Sequence, residues 1–119
     1  MNDDEFNERI ARIRQRFAAA LPEKIDGSLV ALSHLGKSDA DAIETLVVTH
    51  RNLHEMCGIA PSVGFAATGI AARAAETVLR EPAKAKRPLT PQEVADCRRA
   101  IEKLREAAQS ELQSIRGRG

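Results

Sequence analysis

Tryptophan and tyrosine are missing from this sequence of 119 residues, and phenylalanine occurs only at Phe6, Phe17 and Phe65. Strands draw heavily on aromatic residues, so this scarcity argues against a β fold. Cysteine is scarce too. Cys57 and Cys97 form no C-x-x-C pair, which argues against a disulfide framework or a zinc finger. Neither sign of charge dominates: the formal net charge is +1, and nothing in that balance calls for nucleic acid or an anionic membrane. No apolar run is long enough to span a bilayer. The acidic start (Asp3, Asp4, Glu5) lacks the basic-then-apolar pattern of a signal peptide. These absences predict a soluble, reduced, cytoplasmic protein with no nucleic-acid or membrane partner.

What the chain has in quantity is alanine, leucine, isoleucine, glutamate and arginine. Most of these are good helix formers. The length fits one domain over 1–119 with a genuine core. Asn2 or Asp3 can cap a first helix whose acidic start suits its positive end. Phe6, Ile10, Ile13 and Phe17 recur on one face. Pro22 removes a backbone donor and disfavours helix at Leu21, which predicts a break there. A short extra N-terminal helix would then precede a longer one carrying Ile25, Leu29 and Leu32 and ending near Gly36.

Ser38 and Asp41 resemble a capping box, and a helix from about Asp39 to Gly58 or Ile59 would bury Ala42, Leu46, Leu53, Met56 and Ala60. Pro61 and Ser62 mark a tight connection with Ser62 as N-cap. The next helix, about Val63 to Arg80, has Gly64 and Gly69 for close approach to a neighbour; Phe65, Ile70, Ala74 and Val78 would face the core. Glu81-Pro82 would end it, and a basic loop (Lys84, Lys86, Arg87) would follow. Thr90-Pro91-Gln92-Glu93 combines an N-cap, a first-position proline and a capping-box glutamate. The last helix carries a seam of Val94, Cys97, Ile101, Leu104, Ala108, Leu112 and Ile115, with Gly117 to Gly119 as a frayed tail. Short connections between four main helices predict an all-α, up-down-up-down four-helix bundle.

Chemistry concentrates between Leu53 and Phe65. His54 lies near the border of its helix's apolar stripe, and Gly58 sits one turn later on the same side. A helical glycine costs on the order of 1 kcal/mol relative to alanine, so its presence implies a need for space beside the imidazole. An imidazole has an ordinary pKa of about 6.5 and is nucleophilic near neutral pH. His50 and Arg51 lie one turn before His54, and Cys57 three residues after it. His50, His54 and Cys57 also offer a possible zinc set, but no glutamate follows the first histidine as H-E-x-x-H requires. Cys97 on the last seam reads as a small buried hydrophobe.

His54-x-Met56-x-Gly58 followed by Gly64-Phe65 resembles the histidine-containing phosphotransfer (HPt) domain, whose pattern is H-x-L-x-G with a second glycine six residues on. The stretch Phe17 to Ile25, with Leu21-Pro22-Glu23-Lys24, is similar to that family's L-P-E-R segment, and Glu76 matches its acidic position in the following helix. The resemblance implies a phosphorelay carrier. His54 would accept a phosphoryl group from a receiver-domain aspartate and pass it on, with His50, Arg51, Cys57 and Gly58 as phosphoryl-site neighbours and docking positions. It implies no cofactor on this chain, since magnesium belongs to the receiver. The implied partners are response-regulator receivers and a hybrid histidine kinase, with the chain itself a monomer. Cys57 departs from the pattern, because the family often carries a lysine there to offset phosphoryl charge. His54-Glu55 is also similar to the H-E-L-R-x-P box of histidine kinases, but Pro61 comes two residues late and 119 residues leave no room for an ATP-binding domain. The alternative is a non-catalytic helical adaptor or inhibitor that binds a receiver or a kinase.

Overall fold

The computed structural model describes residues 3–118, with side chains through Ile115. Four helices form: α1 (Asp3–Ala31), α2 (Ala40–Ile59), α3 (Ala66–Ala85) and α4 (Pro91–Arg118). A single 3-10 turn, Ala60–Val63, joins α2 to α3, and no strand occurs among the described residues. Each helix packs on the next, and α4 closes back on α1. The result is the four-helix bundle that the short connections predict. Its core holds Leu21 and Ile25 of α1, Leu46, Leu53 and Met56 of α2, Leu79 of α3, and Cys97, Ile101 and Leu104 of α4. Phe65, at the mouth of α3, is fully buried and meets Phe17 at a centroid distance of 5.2 Å.

The expected break at Pro22 does not occur, so there is no separate short N-terminal helix. Helix α1 runs unbroken through Pro22. Pro22 itself is exposed, while Leu21 and Ile25 on either side are buried, so packing holds the helix through one missing hydrogen bond. The helix stops at Ala31 rather than Gly36, and Leu32 and Leu35 enter the core from turns beyond it. Capping by Asn2 lies outside the described residues.

Asp39, not Ser38, caps α2: its carboxylate accepts from the Ala42 N–H at 3.0 Å. The α2 stripe is buried as its spacing predicts. At α4, Thr90 Oγ1 accepts from the Glu93 N–H at 3.1 Å, and Glu93 accepts from the Thr90 N–H at 2.9 Å. The capping box is therefore reciprocal. Helix α4 continues through Gly117 to Arg118 instead of fraying there; Gly119 lies outside the described residues.

Helix α3 departs most from expectation. It starts at Ala66 and runs past Pro82 to Ala85, stopping at Lys86, which adopts a left-handed φ of 53°. Pro82 is buried with Leu79 and Ala83, so apolar contact offsets its missing donor. The inward face is Thr68, Gly69, Ala72, Ala75, Glu76 and Leu79. Ile70 instead stands 75% exposed and Ala74 faces solvent. Ser62 does not cap this helix; it lies in the 3-10 turn, and Phe65 occupies the N-cap without a side-chain bond. The cap comes from α4. Glu111 accepts from the Thr68 N–H and Oγ1–H, both at 2.7 Å, and from the Ala67 N–H at 3.3 Å. Gly64 serves conformation rather than close approach, with a φ of 90° that ends the 3-10 turn. Gly69 does serve close approach, since a Cβ there would meet the Pro61 ring at 3.0 Å.

Candidate functional site

Helix α2 carries its chemistry on the flank that turns toward α3. His54 lies about 100° around the axis from the centre of the buried stripe, and its side chain is 67% exposed. Glu76 occupies the inward face of α3 and is 3% exposed. Its Oε1 stands 3.4 Å from Nδ1 of His54 and 3.1 Å from Nε2 of His50. The two imidazoles lie 6.2 Å apart at 25°, stacked along α2. Arg80, one turn further along α3, closes the cluster: Nη2 donates to Glu76 Oε2 at 2.6 Å and Nε donates to Oε1 at 3.2 Å.

A buried carboxylate is costly unless it is paired and hydrogen-bonded. Glu76 meets both conditions. The Arg80 hydrogen bonds, with help from His50, hold its carboxyl down at about 2 against the opposing effect of burial. Arg80 is raised in turn by the same contact. Glu76 is thus an anion at every physiological pH. An anion facing Nδ1 favours the tautomer with its proton on Nδ1 and leaves the Nε2 lone pair on the opposite ring edge. That arrangement fits a nucleophile: one nitrogen sits beside a fixed anion, on a side chain that is otherwise largely exposed.

The remaining candidates fall into place around this pair. Gly58 is exposed, and a Cβ built on it meets nothing within 4 Å. The approach to His54 from one turn ahead is therefore open. Arg51 is exposed on the solvent face of α2. His50 is half-buried and turned onto Glu76 rather than outward. Cys57 is buried, and its thiol donates to the His54 carbonyl at 3.1 Å. Among the described residues no three metal-ligating side chains gather as a metal set, and the carboxylate that both histidines face is already engaged by Arg80. Cys97 is fully buried and its thiol is pushed up to about 12 by that burial, which suits an inert core residue. His34 sits in the α1–α2 connection, at the far end of α2 from His54.

The sequence gives Glu76 only through its match to an acidic position, with nothing local to aim it at His54. It offers no sign of Arg80 at all, beyond its i+4 spacing from Glu76. Comparison with protein-family models, curated proteins and solved structures finds no match to this chain.

Proposed function

We propose that this chain is a phosphoryl carrier of the HPt kind, exchanging a phosphoryl group between His54 and receiver-domain aspartates. The observation that carries the reading is the exposed imidazole whose Nδ1 faces the buried Glu76 carboxylate at 3.4 Å. The lone pair on Nε2 attacks phosphorus of an aspartyl phosphate. The N–P bond forms as the P–O bond breaks, and the aspartate carboxylate leaves with the bonding pair. The Nδ1 proton stays on the ring, where Glu76 stabilises the positive charge that develops. Apo distances of this kind shorten when the reacting group arrives. The open space at Gly58 supports docking of a whole protein domain over the ring. Within this reading the chain itself needs no nucleotide and no metal, and the receiver brings magnesium. Response-regulator receivers and a hybrid histidine kinase are the matching partners, with the carrier a monomer in the cytoplasm.

The test is transfer from receiver domains charged on aspartate with acetyl phosphate. The chain should gain an acid-labile, base-stable phosphate, and His54→Gln should abolish it with unchanged helical circular dichroism. Labelling of that variant at full level, or binding of receivers with no transfer, overturns the reading; the second outcome is what the adaptor alternative requires.

A further inference from the structure

The carboxylate that faces His54 also creates an electrostatic difficulty. Glu76 is buried and ionised, and a phosphoryl group on Nε2 would place further negative charge on the far side of a ring whose Nδ1 stands 3.4 Å from the Glu76 carboxylate. Like charges at such a separation repel, and solvent on the exposed side of the ring screens that repulsion only in part. Helix α2 offers no lysine or arginine on its inward side to relieve this; its His50 meets the same Glu76 oxygen that His54 faces. The residue three after His54 is Cys57, whose thiol donates to a backbone carbonyl, and Arg51 is exposed. Helix α3 does supply one. Arg80 grips both oxygens of Glu76, at 2.6 and 3.2 Å, and remains 57% exposed on its outer side.

Resting on the phosphoryl-carrier reading, we propose that Arg80 is a positioning residue for phosphoryl acceptance, offsetting the Glu76 charge so that one carboxylate can orient His54 without repelling the group it receives. The offsetting cation of the site thus comes from α3 rather than α2. The two-point contact suits arginine, whose planar fork spans a carboxylate. It also fixes the Glu76 oxygens, so Oε1 stays beside both imidazoles. Because Arg80 acts through Glu76, removing its charge should slow acceptance while the ring keeps its orientation through Glu76 and His50.

The experiment uses potassium phosphoramidate as a small phosphodonor, so that partner docking plays no part. In that reaction Nε2 attacks phosphorus, the P–N bond breaks and ammonia departs. Arg80→Met should lower the initial rate of His54 phosphorylation at least fivefold, read by phosphorus NMR, and Arg80→Lys, which keeps the charge without the fork, should recover part of that loss. The gap between Arg80→Met and wild type should narrow as sodium chloride is added, because screening weakens a charge effect at an exposed site. Nitrogen-15 shifts of the His54 ring should keep the Nδ1–H signature in both variants. Arg99→Met, which removes an exposed arginine on α4, should leave the rate unchanged. An Arg80→Met rate equal to wild type overturns the inference, and so does a gap between the two that sodium chloride leaves unchanged. Failure of the carrier reading shows separately, as absence of transfer from charged receivers while phosphoramidate still labels His54.

Discussion

Gly27 and Gly58 are matched in their surroundings and differ in what they border. Both lie inside helices, and a Cβ on either meets nothing within 4 Å. Alanine at each position should therefore stabilise the fold by about 0.5–1 kcal/mol in urea titrations. Leucine at each should leave stability within about 1 kcal/mol of wild type. Only Gly58→Leu should also impede transfer from a charged receiver, by at least tenfold, because its side chain projects over the turn carrying His54. Equal transfer by Gly27→Leu and Gly58→Leu would show that partners dock elsewhere. The His54–Gly58 pairing was legible in the sequence because both residues share one helix at i and i+4. Arg80 was not, since its role depends on a carboxylate that is itself placed by tertiary packing.

Among the elements, α2 and α4 follow their sequence patterns closely and α3 does not. The seam of α4 contrasts leucine and isoleucine against charge, so its periodicity identifies one face. Helix α3 is rich in alanine, and alanine gives little contrast. Its buried face includes Glu76 and Thr68, while its isoleucine is exposed. Reading apolar residues as inward thus holds for Phe65 and in part for Val78, but fails for Ile70 and Ala74. Its start misled for a related reason. Ser62 is a local candidate cap, whereas the acceptor that holds the first amides is Glu111, 43 residues beyond Thr68. Glu111→Ala should cost about 1–3 kcal/mol, because it strands the buried Thr68 hydroxyl and two amide donors. Ser62→Ala should change stability by less than about 0.5 kcal/mol. Chemical denaturation of the two variants checks this directly, and the reverse order of losses would restore the local cap.

For the molecule as a whole, acid is the informative denaturant. Glu76 is held at about 2 chiefly by Arg80, and Glu93 at about 2 chiefly by Arg87 with help from Thr90. Both lie below the ordinary carboxylate value of 4.5. The unfolded chain therefore takes up protons first as pH falls, and folding loses support. Stability from these two groups is complete above about pH 4.5 and drains away toward about pH 2. Urea midpoints measured across that window should decline, and the decline should be shallower in Glu76→Gln/Glu93→Gln. An unchanged slope in the double variant would mean that other carboxylates govern acid unfolding.

The cap that α4 lends to α3 also bears on the order in which the chain assembles. A helix that starts with its own N-cap can begin forming before its neighbours arrive. The first turn of α3 has no such local start, and its amides gain their acceptor only once a segment more than forty residues away has docked. Closing a loop that long must precede the reward. A contact that waits on that closure is expected to form after the folding transition state. Glu111→Ala should therefore leave the refolding rate nearly unchanged and speed unfolding in proportion to the stability lost. In stopped-flow chevrons the refolding arm of the variant should overlay that of wild type, with only the unfolding arm raised. A lowered refolding arm would instead place the α3–α4 junction among the earliest structure to form.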